Sequence, residues 1–517
     1  MELTGEEKLG ILEQTGRMTK KGADEMKRSS GILMPIFSLP SRYGIGTLGR
    51  AAYEFVDFLE QAGQSWWQIL PVGHTSYGDS PYQCFSTFAG NPYFVDLDLL
   101  VEDGLLKADD LKPLSVVPDP GAVDYNEQFQ TRYTILRKAA ENGKARDAAE
   151  VAEFVEENHW VEDYALFMAL KNHFDGKPWV EWEDRSIRLR EPEAVERYQK
   201  LLCEDIWLYT YIQFLFFRQW EALRAYAAGK GVGMIGDLPI YVAMDSADVW
   251  AESKYFQLDE NNFPSAVAGV PPDYFSEDGQ LWGNPLYNWE AMKEDGFGWW
   301  IRRVDGASKL YDVIRIDHFR GFESYWAVPY GETTAKNGEW IKGPGMDLVG
   351  VLTGWFPNTR FIAEDLGVLT DEVQELLSQS GLPGMKILEF AFGGDTPSSY
   401  LPHVYERNCV CYPGTHDNTT LAAWLEECEE KELEQATEYF GLNETEGLTW
   451  GMLRGGMSSV ADLFVAQIQD YLGLDGSCRV NTPGMLGGNW QWRLLPGQLT
   501  TELADKIAHM TKRYGRN

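Results

Sequence analysis

Three short apolar runs in this chain lead into carboxylates: Arg315-Ile-Asp317-His318, Ala363-Glu364-Asp365 and, after a turn, Gly414-Thr-His416-Asp417-Asn418. Asp237 ends a fourth run in the same way. Side chains two apart on a strand share a face, so Arg315 and Asp317 look the same way, and a guanidinium within about 4–6 Å would hold that aspartate ionised with its pKa lowered by ~1–3 units. Glu364, on a less charged face, is the better candidate for a carboxyl that keeps its proton until it donates it. An ionised carboxylate and a protonated one, roughly 5–5.5 Å apart, are the pair that cleaves a glycosidic bond with retention, one as nucleophile and the other as proton donor. Two other readings of these acids stay open at this point. Each alone could be a helix cap, and Asp317, Glu364 and Asp417 together could chelate magnesium through oxygen donors. Arg315 weighs against the metal, because a fixed cation among the ligands repels it; no metal and no cofactor are expected.

Carboxylates from separate runs can meet only if the runs are neighbouring strands. Eight short apolar, β-branched or aromatic runs occur, at 31–36, 66–72, 233–240, 313–317, 360–364, 385–390, 409–412 and 479–482, and helical-looking segments separate many of them. Strands alternating with helices imply parallel βα units, and eight of them predict a (β/α)8 barrel whose active site lies at the C-terminal strand ends, where these acids are. The spacing is uneven, so large, mainly helical insertions are expected to form subdomains around that face. The expected organisation is an N-terminal extension over 1–29, a catalytic barrel over 30–494 with inserted subdomains at about 77–230, 245–310 and 419–470, and a C-terminal helix over 495–517. Within the second insertion, GVPPDYFSEDGQLWGNPLYNW (269–289) reads as an ordered loop, and 419–470 reads as helix.

The length of 517 residues gives ample chain for a large core, and 44% hydrophobic against 24% charged residues excludes a disordered chain. Forty-five basic against 79 acidic residues give a formal net charge of −34, so polyanions are repelled, and neither nucleic acid nor an anionic membrane is an expected partner. With 19 Trp, 25 Tyr and 25 Phe, rings exceed what a core requires, and surplus rings often line binding clefts. No run approaches the ~18 apolar residues of a transmembrane helix, and the first 30 residues lack a signal-peptide core, so a cytoplasmic protein is expected. Its six cysteines, without metal-ligand spacing, read as reduced thiols. Gly44-Ile-Gly46-Thr-Leu-Gly49 matches a dinucleotide fingerprint, but the acid expected about 20 residues later is missing, and the glycines read as a tight turn into a helix.

Longer motifs then come together. SLPSRYGIGTLG (38–49), WWQILPVG (66–73), DSPYQCFSTFAGNP (79–92), GDLPIYV (236–242), GVPPDYFSEDGQLWGNP (269–285), RIDHFRGF (315–322), IAEDLG (362–367), GTHDN (414–418) and NTPGMLGGNWQWR (481–493) resemble, in order, the motifs of the amylomaltase or disproportionating-enzyme family, 4-α-glucanotransferases of the α-amylase superfamily. The resemblance runs from about Ser30 to Leu494. It implies that Asp317 is the nucleophile, Glu364 the general acid/base and Asp417 the third carboxylate, which stabilises the transition state and orients sugar hydroxyls. It places Arg315, His416, Asp237 and Tyr82 around the glucose before the scissile bond, Tyr82 as its stacking ring. It assigns Ser80, Trp282, Asp273 and Asn489 to the acceptor side or its covering loop, and Tyr77 to a remote glucan contact. Cys84, Thr419 and Met485 depart from the family pattern, none of them at a carboxylate.

The activity implied is transfer of an α-1,4-glucan segment from a donor to the 4-hydroxyl of a glucose or maltodextrin acceptor, without cofactor. Composition and spacing do not separate this from an α-amylase-like hydrolase; the resemblance does. A glucan-binding protein without catalysis would carry the aromatics without the carboxylates.

Overall fold

The structure is a computed structural model that describes residues 27–114, 119–272, 276–367, 369–395, 398–485 and 487–517. Eight parallel strands of three to six residues make its centre: β1 (Ser29–Leu33), β2 (Trp66–Gln68), β3 (Gly233–Leu238), β4 (Val313–Ile316), β5 (Arg360–Ala363), β6 (Gly384–Ile387), β7 (Cys409–Tyr412) and β8 (Leu463–Gln467). They pair in the order β6-β7-β8-β1-β2-β3-β4-β5, which is the predicted (β/α)8 barrel. Seven of the eight expected runs overlap a strand; the eighth does not. Residues 479–482 are irregular, and β8 lies inside the segment read as helix. A five-residue run buried on both faces carries no alternation, so periodicity cannot tell it from buried helix.

Period-two alternation explains how the barrel both fills itself and carries a site. Leu33, Ile235, Val313, Ile362, Met385, Ile387, Val410, Tyr412, Leu463 and Val465 form one buried cluster, with Trp66 packed against it, so every strand sends an apolar side chain inward. Each such burial contributes about 1.5–3 kcal/mol. Two residues further on, the same inward faces turn polar: Gln68 after Trp66, Asp237 after Ile235, Arg315 after Val313, Glu364 after Ile362. The Tyr412 hydroxyl donates to Gln68 Oε1 at 2.9 Å across the barrel, between the apolar floor and the charged layer. Trp67 points the other way, fully buried against Phe55 of the helix Arg50–Gln61, with ring centroids 4.8 Å apart.

The seam between β5 and β6 is closed differently from the others. Its backbone link is Ala363 N–H to the Pro383 carbonyl at 2.9 Å, and a side chain supplies the next rung: Asp365 Oδ1 accepts Met385 N–H at 2.6 Å. Gly384 permits this approach, because a Cβ there would stand 2.7 Å from Asp365 Oδ2.

Helices Tyr125–Gly143, Ala148–Glu157, Trp160–His173, Pro192–Leu201 and Cys203–Gly229 fill the stretch between β2 and β3. The last of these buries residues on every side, as its unbroken apolar centre requires. It also clamps the long loop after β2. Gln213 brackets Gly90, accepting its N–H at 2.7 Å and donating to its carbonyl at 2.9 Å, and Gln219 does the same for Asp96 at 2.7 and 3.0 Å. A four-stranded antiparallel sheet, unforeseen in the sequence, runs Gln280–Pro285, Ala266–Val270, Ser324–Pro329, Glu339–Lys342, so part of the expected 269–289 loop is strand. The glycines at 44–49 lead into the helix Arg50–Gln61, and Asp96 Oδ2, which accepts the Thr47 hydroxyl at 2.6 Å, stands where a Cβ on Gly49 would come within 2.0 Å. An acid thus occupies the place a phosphate would need. No helix among the described residues is long and apolar enough to cross a membrane.

Asp365→Ala should cost about 1–3 kcal/mol, the price of leaving the buried Met385 N–H unpaired. Denaturant unfolding checks this, and an unchanged midpoint would show that the seam does not rely on the side chain.

Candidate active site

Asp237 and Arg315 stand opposite each other in the β3–β4 ladder, and their side chains meet above the barrel floor. Arg315 Nη1 lies 2.7 Å from both carboxylate oxygens of Asp237 and 3.0 Å from Asp317 Oδ1, while its Nε faces Met385 Sδ at 3.4 Å. Asp237 is wholly buried; the Asp317 side chain is 25% exposed, so the chain of charges leads outward to the cleft. The expected pairing of Arg315 with Asp317 is present, but the expected lowering of the Asp317 pKa is not. Burial pushes that carboxyl well above the ordinary range, and Asp237, Glu364 and Asp417 add to the rise against the pull of Arg315. Burial outweighs the guanidinium, which is also shared: Asp237, from a different strand, takes two of its three carboxylate contacts.

Glu364 follows β5 directly and is held by two backbone donors, His318 N–H at 2.7 Å to Oε2 and Leu366 N–H at 3.0 Å to Oε1. Burial nevertheless raises its pKa to about 7, against Arg315 and those donors. Asp317 and Glu364 interact, so protons leave them as a pair. His318 adopts a left-handed conformation, φ 51°, which costs of order 1–3 kcal/mol and aims its N–H at Glu364. Its imidazole, driven down to about 3 by burial and then by Arg320, is neutral and packs edge-on to Trp282 at 4.8 Å.

Tyr82, on the loop that Gln213 and Gln219 clamp, reaches the same charges from above. A carboxylate can only accept, so the Tyr82 hydroxyl donates to Asp237 Oδ2 at 2.7 Å, and its oxygen then accepts from His416 Nε2–H at 2.8 Å. This fixes the tautomer: His416 Nε2 carries the proton, and it also faces Asp417 Oδ2 at 3.4 Å. Burial lowers the His416 pKa, so the ring is neutral. Tyr82 and His416 stack at 5.5 Å and 14°, and Trp490 packs against both. Asp417, 41% exposed, is steered by Asn481, which donates to Oδ1 at 2.6 Å, and by Arg479, which binds its backbone carbonyl at 2.5 Å.

The structure therefore brings Asp237, Arg315, Asp317, Glu364, Tyr82, His416 and Asp417 into one polar cluster, with Trp282 reaching it through His318. Ser80 faces its own loop, where its hydroxyl oxygen accepts Tyr82 N–H at 3.2 Å. Asn489 ties the segment at 482–489 together, accepting Thr482 N–H at 2.9 Å and donating to the Thr482 and Met485 carbonyls. Tyr77 stands apart, 72% exposed, its hydroxyl on the Gly176 carbonyl at 2.9 Å. Asp273 lies outside the described residues. Four contributors were not singled out in the sequence: His318 through its backbone, Asn481, Arg479 and Trp490. Asn481 and Trp490 sit inside a recognised motif, where their polar and aromatic character was the available signal. His318 and Arg479 contribute by conformation and backbone contact, which residue type does not reveal. Among the described residues no three His, Cys, Asp or Glu side chains converge as metal ligands.

The chain matches the family model described as 4-alpha-glucanotransferase over residues 34–500. A 4-alpha-glucanotransferase of Clostridium butyricum is 51% identical over 486 residues, 93% of this chain and 100% of the relative. One of Thermus thermophilus is 45% identical over 500 residues, 94% and 99% of the two chains. The solved structure of amylomaltase from Streptococcus agalactiae in complex with acarbose matches with a TM-score of 0.93 at 43% identity, covering 95% of this chain and 100% of that one. On the length and identity of these matches, the chain belongs to the 4-alpha-glucanotransferase family.

Proposed function

We propose that the protein transfers segments of α-1,4-glucan to the 4-hydroxyl of glucose or a maltodextrin by retaining double displacement, with Asp317 as nucleophile and Glu364 as acid and then base. The observation that carries this reading is the pairing of unlike carboxyls: Asp317 accepts a hydrogen bond from a guanidinium, and Glu364 accepts, among the described residues, from two neutral backbone amides. When the pair holds one proton, the cation favours the anion on Asp317 and leaves the proton on Glu364. Glu364 protonates the glycosidic oxygen as Asp317 attacks C1, giving a covalent glycosyl-enzyme and releasing the reducing-end fragment. Glu364, now ionised, takes the proton from an incoming 4-hydroxyl, whose oxygen attacks C1 and frees Asp317. In this reading Asp417 and His416 hold sugar hydroxyls beside the nucleophile, while Asp237 and Tyr82 hold Arg315 and His416 in place. Acceptor sugars reach this centre past Trp282, with Ser80 and Asn489 on the loops around it and Tyr77 as a separate outer contact; Asp273 is assigned to the acceptor side by family resemblance alone.

Transfer wins over hydrolysis when a bound sugar keeps water from the intermediate, and the aromatic neighbours Trp282 and Tyr82 offer apolar surface to pyranose C–H faces. Maltodextrins, starch and glycogen share the α-1,4 linkage and are the donors this site would take. The six free cysteines support a reducing cytoplasmic setting.

Maltotriose should give glucose and a ladder of longer maltodextrins with reducing ends nearly constant in number; reducing ends rising in step with substrate loss would mark a hydrolase. Asp317→Asn should abolish turnover of every donor, whereas Glu364→Gln should lose at least ~10²-fold on maltodextrins yet still accept an α-maltosyl fluoride, whose leaving group needs no proton. Mass spectrometry of a peptic digest should then find the sugar on Asp317, and a label on Asp417 would reverse the roles. Because Glu364 must begin protonated and titrates near 7, kcat/KM should fall as pH rises through about 7. A profile flat to pH 9 would contradict that assignment.

A further inference from the structure

Behind the turn at 414–418, which presents His416 and Asp417, lies a carboxyl that the mechanism above does not use. Glu389 belongs to the one-turn helix Leu388–Ala391 after β6 and is buried. Its Oε2 accepts Asn418 Nδ2–H at 2.9 Å, and its backbone N–H donates to the Pro413 carbonyl at 3.1 Å, so one residue grips the turn at both ends. Asn418 in turn closes the loop on itself: its Oδ1 accepts both the N–H and the hydroxyl of Thr415 at 3.0 Å, and its own N–H reaches the Thr415 carbonyl at 3.1 Å. The approach is tight, since a Cβ on Gly414 would stand 2.7 Å from Glu389 Oε1.

The surroundings decide the charge. Among the described residues Glu389 Oε1 has no hydrogen-bond partner, and the cation that acts on the carboxyl is Arg479. Arg479, the nearby guanidinium, is committed to the carbonyls of Asn481 at 2.6 Å and Asp417 at 2.5 Å. The other charged neighbour is an acid, Asp470, itself buried with one oxygen on Leu421 N–H at 2.8 Å. A buried, unpaired carboxylate facing a second carboxyl is costly, and the neutral acid is the stable form. Burial, then Asp470, pushes the Glu389 pKa well above the ordinary glutamate range.

We propose that Glu389 is a positioning residue that acts as an uncharged carboxylic acid, fixing the turn at 414–418 through Asn418 and so setting where His416 and Asp417 meet the sugar. This rests on reading Asp417 and His416 as substrate-holding residues. The test compares variants in maltotriose disproportionation, with melting temperature recorded for each. Glu389→Gln keeps the shape, the acceptor and the neutrality, and should stay within about threefold of the parent kcat/KM. Glu389→Leu keeps bulk but strands the Asn418 amide, and Asn418→Ala removes the same link from its less buried end. Both should lose of order 10–100-fold, since a small misplacement of sugar-holding groups is expensive in rate. A residue with only a packing role would move the melting temperature of Glu389→Leu without this loss and without rescue by glutamine. Glu389→Gln as impaired as Glu389→Leu would show that the anion is needed and overturn the proposal. So would parental rates in Asn418→Ala, which decides the matter if Glu389→Leu fails to fold. Asp417→Asn at the parental rate would instead remove the underlying reading of the site, leaving the two failures distinguishable.

Discussion

The site is organised around one buried guanidinium. Placing Arg315 inside the barrel costs several kcal/mol in lost hydration, and removing one partner of such a group is worse than never having had it. Asp237 offsets that cost with two contacts at 2.7 Å, and Asp317 adds a third at 3.0 Å. The consequence spreads through hydrogen bonds. Asp237 is held by Arg315 and so can accept from Tyr82, Tyr82 can then accept from His416 Nε2–H, and the His416 ring is thereby set with Nε2 3.4 Å from Asp417 Oδ2. The orientation of Tyr82 and His416 is therefore inherited, bond by bond, from one ion pair at the bottom.

Much of this is legible from period-two alternation alone. Arg315 and Asp317 share a face, the acids cluster at strand ends, and the apolar residues two positions earlier build the floor beneath them. What alternation cannot show is which strand stands beside which. Asp237 is 78 residues before Arg315, and only the β3–β4 register reveals that it takes the larger share of the guanidinium. Nor does spacing show the burial that outweighs Arg315 at Asp317, which is why a lowered pKa there is the natural but incorrect expectation from sequence. The same limit hides the antiparallel sheet, whose central strands Ala266–Val270 and Ser324–Pro329 are short, rich in small residues and interrupted in sequence by barrel strand β4. It hides β8 too, where an apolar run preceded by helix offers no period to read. Asn489, placed by resemblance toward the acceptor, turns its amide to the loop that carries it.

Asp317 and Glu364 are kept distinct by the donors that meet them. Glu364 meets two backbone amides, one supplied by a histidine in a strained conformation; Asp317 meets a fixed positive charge. Strain at His318 is tolerated because the surrounding chain determines it from both sides: β4 leads into it, and Phe319 N–H bonds the Glu364 carbonyl at 3.0 Å.

The clamp of Gln213 and Gln219 on the loop after β2 also bears on how the molecule is made. Each glutamine closes a contact with chain 123 residues away, so the loop carrying Tyr82 has no template while it leaves the ribosome. Non-local contacts of this kind form late, after the chain entropy between them has been overcome. Half of the stacked pair around His416 thus depends on a helix synthesised well after it, and His416 itself comes later still. The site is in this sense a property of the finished chain: nascent fragments that already contain several barrel strands but end before residue 416 lack the stacked pair of Tyr82 and His416.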